Sequence, residues 1–238
     1  MKPLMFMGQI QAFERDGATH IIERLWEGGI RQLVLGDLVL HIDGTQGPAF
    51  APNLDLYEGI EMQPPVLTQK LEAASRVFGD AVKAGNDQGF ELYFHDWGQA
   101  GWPNPATCLN NPEQLRYGLA RTRDTFEHYP KTHGFVLDGP EHGYEIEPGH
   151  RSDLFSCFCE HCEGKAKGLG YDFTAMKEAA RDLRLRMKEL SPAVMRGFIA
   201  TQSGPFDAVD LLLQEPVLFD WLRFKTDCIQ DYVGAFYA

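Results

Sequence analysis

The residues with the clearest chemical potential are three cysteines in the stretch "SCFCEHCEG": Cys157, Cys159 and Cys162. They form C-x-C-x2-C and are three of only five cysteines in the chain. Thiolates at this spacing can wrap one ion from a tight loop. Structural zinc is tetrahedral and takes four N or S ligands. Cys108 is the candidate fourth ligand. It lies in the loop after the third apolar run, and the triplet lies in the loop after the fourth. Consecutive parallel strands are usually neighbours, so these loops are expected side by side. His161 is a substitute ligand, crowded between Cys159 and Cys162. Four thiolates leave no open position, so the expected metal is structural zinc rather than a catalytic ion. Cys228, alone on a helical pattern, reads as a buried unliganded thiol.

Carboxylates are the second chemical set. "FVLDGPEHGYEIEPG" carries Asp138, Glu141, Glu145 and Glu147. An acid at a strand end can be held in a cleft and tuned by its neighbours. Glu141 follows the strand directly and is the catalytic candidate, whereas Glu145 and Glu147 read as solvated loop acids. His95, Asp96, Trp97 and Trp102 lie at and beyond the third apolar run. Aromatic faces stack on sugar rings and carboxylates accept hydroxyl hydrogen bonds. Asp96, Trp97 and Asp138 are therefore the candidate substrate-binding residues.

These groups need elements to position them. Apolar runs at 3–10, 31–42, 89–98 and 132–143 alternate with helical patterns. The first helix, 20–29, closes on glycines. Leu67, Leu71, Ala74, Phe78, Ala81 and Val82 mark a second, after a long loop containing Pro and Gly. A third opens with Asn111 before Pro112, an N-cap followed by Pro at the first helical position. Phe173, Met176, Ala180, Leu183, Met187 and Leu190 form one stripe behind Asp172 as cap. The last helix, 219–237, carries Leu222, Ile229, Val233 and Phe236 on one face. Four strand–helix units predict an α/β fold with a parallel sheet.

A doubly wound sheet and a (β/α)8 barrel both fit that pattern. No G-x-G-x-x-G follows the first strand, which weakens dinucleotide binding. Polar residues gather past the strand ends instead: Gln9, Asp43, His95 to Trp97, and Asp138 to Glu145. That is where a barrel keeps its active site. A barrel needs eight units, so residues 1–238 are expected to form a single, partial TIM barrel of about four βα units. A Cys-rich loop spans about 145–170. The two outer strands of a half barrel would be open edges, so a homo-oligomer or a missing C-terminal half is expected.

Composition sets outer limits. A net charge of −12 argues against nucleic acid or an anionic membrane as partner. No run of about 18 apolar residues is present, so no membrane span is expected. The N-terminus lacks a signal-peptide pattern, and a reducing cytoplasm is the expected setting.

The acid after strand four, the Cys after strand three and the C-x-C-x2-C together resemble glycoside hydrolase family 42 β-galactosidases, and more broadly (β/α)8 retaining glycosidases. The resemblance covers about the N-terminal half of such a barrel. It implies that Cys108, Cys157, Cys159 and Cys162 hold a structural zinc. It also implies that Glu141 is the general acid/base acting on O-glycosidic bonds of a carbohydrate. Three departures stand out. Pro140 occupies the place of the family's sugar-contacting asparagine. The interval from Glu141 to Cys157 is longer. The nucleophile belongs after a seventh strand, and retaining hydrolysis needs that second carboxyl about 5–5.5 Å from the first. Asp96 is the fallback partner. Two alternatives remain at this point. One is a non-catalytic, zinc-stabilised carbohydrate-binding or interaction module. The other is a metal-dependent hydrolase using His95, His142 or His150 with nearby acids.

Overall fold

The computed structural model describes residues 2–7, 10–36, 38–97, 108–138, 155, 157–189 and 215–238. Within those ranges the side chains of Phe6, Asp96, Trp97, Asp138 and residues 187–189 lie outside the description. The chain divides into two compact units. The first comprises residues 1–107 and 112–140, the second residues 108–111 and 141–238.

The first unit is built on four strands: β1 (Leu4–Met7), β2 (Gln32–Leu35), β5 (Glu91–Trp97) and β6 (Gly134–Asp138). They pair in the order β1-β2-β5-β6, and every pairing is parallel. Parallel neighbours cannot be joined by tight turns, so each connection must carry the chain back along the sheet. Helices α1 (Gln11–Asp16), α2 (Ala18–Glu27), α3 (Glu72–Gln88) and α4 (Pro112–His128) occupy those returns. Among the described residues, each strand of this sheet lies beside its nearest sheet partner in chain order, without the order reversal of a doubly wound sheet. The expected mixed α/β fold with a parallel sheet is therefore present.

The core follows from period-two alternation on the strands. Leu33, Leu35, Leu92 and Phe94 are fully buried against Ile22 of α2 and Ala74, Phe78, Ala81 and Val82 of α3. Gly85 lets α3 approach β5: a Cβ there would stand 2.9 Å from Leu92 Cδ2. The register sets Leu33 beside Leu92, which continues the layer across the sheet.

One apolar run divides in two. The segment 31–42 forms β2, then β3 (Val39–Ile42), which pairs antiparallel with β4 (Thr45–Pro48). Asp43 and Gly44 make the turn with φ of 45° and 74°. Positive φ at both central residues is the hairpin turn that Asp-Gly favours. Asp43 is thus a turn residue, not a strand-end functional group.

Beyond the hairpin, a 3-10 turn at Leu54–Tyr57 lies along α4. Asp124 of α4, 2% exposed, fastens it. Its carboxylate accepts the Asn53 N–H at 3.2 Å and the Tyr57 hydroxyl at 3.1 Å. Burial nevertheless raises the Asp124 pKa above the usual carboxylate value, against the lowering by these two donors. The native state then holds this proton to higher pH than the unfolded chain does. The Asp124 contribution to stability is full at low pH and falls as pH rises through the native pKa. Asp124→Asn is expected to flatten that part of the stability curve and keep both hydrogen bonds. Asp124→Ala is expected to cost about 1–3 kcal/mol by orphaning its donors. Urea unfolding across the acid range checks both.

The second unit contains α5 (Glu160–Leu169), α6 (Phe173–Glu189) and α7 (Pro216–Tyr237). As expected, Asp172 caps α6, accepting the Ala175 N–H at 3.0 Å. Ala166, Met176, Ala180, Leu218, Trp221 and Phe224 form its core with three of the cysteines. The buried stripe of α7 differs from the expected one. It runs through Leu218, Trp221, Phe224, Cys228 and Tyr232, while Leu222 is 38% exposed. Both stripes have helical spacing, and the one with the larger aromatic surface is inside.

Candidate metal centre

The second unit holds the site. Cys108 begins a four-residue segment, Cys108–Asn111, which turns through an Asn111 N–H to Cys108 carbonyl bond of 2.9 Å. The remaining thiols arrive with α5. Cys159 is its N-cap residue, and Cys162 is the third residue of the helix. Unpaired N–H groups and the helix dipole favour thiolates at that end.

The four Sγ atoms of Cys108, Cys157, Cys159 and Cys162 all lie within 4.8 Å of one another. Cys108 and Cys162 are 3.3 Å apart, and Cys159 to Cys162 is 3.9 Å. Tetrahedral bonds of about 2.3 Å imply edges of about 3.8 Å. The observed spacings bracket that edge, so the donor set fits a mononuclear ion. Cys108 and Cys162 are buried, whereas Cys157 and Cys159 are half-buried.

Proton sharing within the cluster is uneven. Hydrogen bonds from Cys108 and Cys162 hold the Cys157 thiol far below the ordinary cysteine range. Hydrogen bonds to Cys157 and Cys162, then burial, push Cys108 the other way. The thiols therefore hold one another's protons, and a bound cation would replace them. Cys228 stands apart from the four. Burial pushes its thiol up to about 11, as suits an unliganded core cysteine.

Asn110 is a member of the site that the cysteine spacing does not reveal. Its backbone N–H points to Cys108 Sγ at 3.3 Å. Its side-chain Nδ2 lies 3.4 Å from Cys162 Sγ and 3.2 Å from Cys228 Sγ. The available signal was its place two residues after a ligand, where a tight turn aims an amide back at sulfur.

The other candidates fare differently. The backbone register sets Trp97 opposite Asp138 and Asp96 opposite Leu137 at the ends of β5 and β6. Their side chains lie outside the described residues, as do Gln9, Trp102, Glu141, Glu145, Glu147, His142 and His150. His95 is buried on β5. His161 is half-buried and is not among the clustered ligands. Among the described residues, the four thiols are the group with metal-binding spacing.

Fold and site together define a mixed α/β protein with a parallel four-stranded sheet and a four-cysteine cluster able to hold a metal ion. Comparison with protein-family models, with curated proteins and with solved structures finds no match to the chain. No helix among the described residues is long and apolar enough to cross a membrane.

Proposed function

We propose that this chain is a (β/α)8-type, glycoside hydrolase-like protein whose loops are stapled by a structural zinc. The observation that carries the reading is the convergence of four thiols within 4.8 Å of one another, in a chain that also carries a parallel sheet whose strands follow chain order. Cys108, Cys157, Cys159 and Cys162 would hold the ion. All-thiolate ligation leaves it no open position, so it supplies folding energy rather than Lewis acidity. Chemistry belongs to Glu141, which would protonate the leaving oxygen of an O-glycosidic bond. Among the described residues β1 and β6 each have a single strand neighbour. The reading places a further set of βα units, or a second copy, against those edges.

Metal content tests the staple: one zinc per chain, lost on Cys159→Ser. A phenyl glycoside tests the chemistry, because its poor leaving group needs protonation. The reading assigns Glu141 no paired carboxylate, so turnover is expected near background in water and to rise when azide is added as an external nucleophile. Glu141→Gln is expected to lower the azide-dependent rate by about 10²–10⁴-fold. Robust turnover without azide, or indifference to Glu141→Gln, overturns the assignment of Glu141. Sugar binding with no turnover under any condition favours a non-catalytic carbohydrate-binding module.

A further inference from the structure

We propose that Asn110 and Cys228 form the outer shell of the metal centre, with Asn110 as the residue that positions and quiets its thiolates. This rests on the reading of the four cysteines as a metal site. Four thiolates around a divalent ion leave an excess of two negative charges. In a protein core that charge needs hydrogen-bond donors. Asn110 supplies two different donors. Its backbone N–H serves Cys108, and its carboxamide serves Cys162, the two most buried ligands. These bonds tie the loop ligand and the helix ligand to one residue.

Cys228 acts through Asn110. The carboxamide nitrogen has two hydrogens, and its sulfur neighbours stand at 3.4 Å and 3.2 Å. One hydrogen can face Cys162 while the other faces Cys228. Cys228, 1% exposed on the buried stripe of α7, thereby fixes the rotation of the amide. A buried cysteine outside the ligand set thus has a role, and α7 is linked to the centre without donating a ligand. Outer partners of this kind commonly change metal affinity by 10–100-fold.

The test uses the full 238-residue chain loaded with zinc or cobalt(II). Asn110→Ala is expected to weaken zinc binding by about 10–100-fold in chelator competition. It should also move the sulfur-to-cobalt charge-transfer band to longer wavelength, because a thiolate without its donor releases electrons more easily. Asn110→Asp keeps the shape but loses the donor, so it should shift the band likewise and decides the matter if the alanine variant does not fold. Cys228→Ser retains an acceptor and should bind zinc like the parent. Cys228→Val should weaken binding in the same direction by less. An unmoved cobalt band in both Asn110 variants overturns the proposal, even if affinity falls. A parent chain that takes up neither metal overturns the metal-centre reading itself.

Discussion

Cys162→Ser is expected to abolish metal binding and unfold the unit that carries α5, α6 and α7. Cys162 is fully buried, is the third residue of α5, and lies 3.3 Å from Cys108. Among the described residues, the unit's core is a modest set of apolar side chains packed around α5, α6 and α7, with the cysteines themselves among them. Structural zinc sites in small domains carry apparent binding energies of about 10–16 kcal/mol at neutral pH. Whole domains are stable by only about 5–15 kcal/mol. On the metal-centre reading, losing the ion would remove an energy comparable to the unit's whole margin. Amide hydrogen exchange should report it as lost protection in α5, α6 and α7, and chelator treatment of the parent should reproduce it. Full protection in the metal-free protein would show that the helices hold by packing alone.

Phe94→Ala carries the second large effect, in the first unit. Phe94 is fully buried at the middle of β5. Its ring lies 5.7 Å from Phe78 of α3, 5.3 Å from Tyr129 and 6.2 Å from Phe135 of β6. These neighbours come from a helix, a loop and another strand, so collapse into the vacated space would require all three to move. Truncation of a buried Phe costs about 3–5 kcal/mol under such conditions. Leu54→Ala is the control: Leu54 is 63% exposed, and surface changes of this kind stay within about 0.5 kcal/mol. Denaturant unfolding of the two variants should separate cleanly. Equal midpoints would mean that the aromatic layer does not carry the sheet.

The sequence made the strand–helix alternation readable because each unit has its own signal. Apolar runs bounded by glycine marked β5 and β6, and Asn111-Pro112 marked the start of α4. The cysteine set was readable because ligand types are few and their spacing is short. The hairpin β3–β4 was hidden by its flank: Leu33 to Leu40 is apolar enough to pass for one strand. Asp43-Gly44 held the correcting signal, since both residues have positive φ. The inward stripe of α7 could not be chosen by periodicity, because Phe224 and Cys228 repeat as regularly as Leu222 and Ile229. Their partners decide it, and those come from distant segments such as Asn110. Asn110 was hard to see for the same reason, its place two residues after Cys108 being the one local signal. Its role exists only once residues 52 and 118 positions further along have folded back to it.

That separation gives the order of synthesis a consequence. The segment Cys108–Asn111 belongs to the second unit but is flanked on both sides by the first. Cys108 emerges 54 residues before Cys162. At typical elongation rates of 5–20 residues per second, it waits roughly 3 to 11 seconds for that partner. During that interval α4 and β6 emerge, while the Cys108 thiol waits for its companions. The same interleaving means that no single cut of the chain yields two self-sufficient pieces. A fragment starting at residue 141 would carry Cys157, Cys159 and Cys162 with a vacancy where Cys108 belongs, and a separately made peptide holding Cys108 would be needed to complete it.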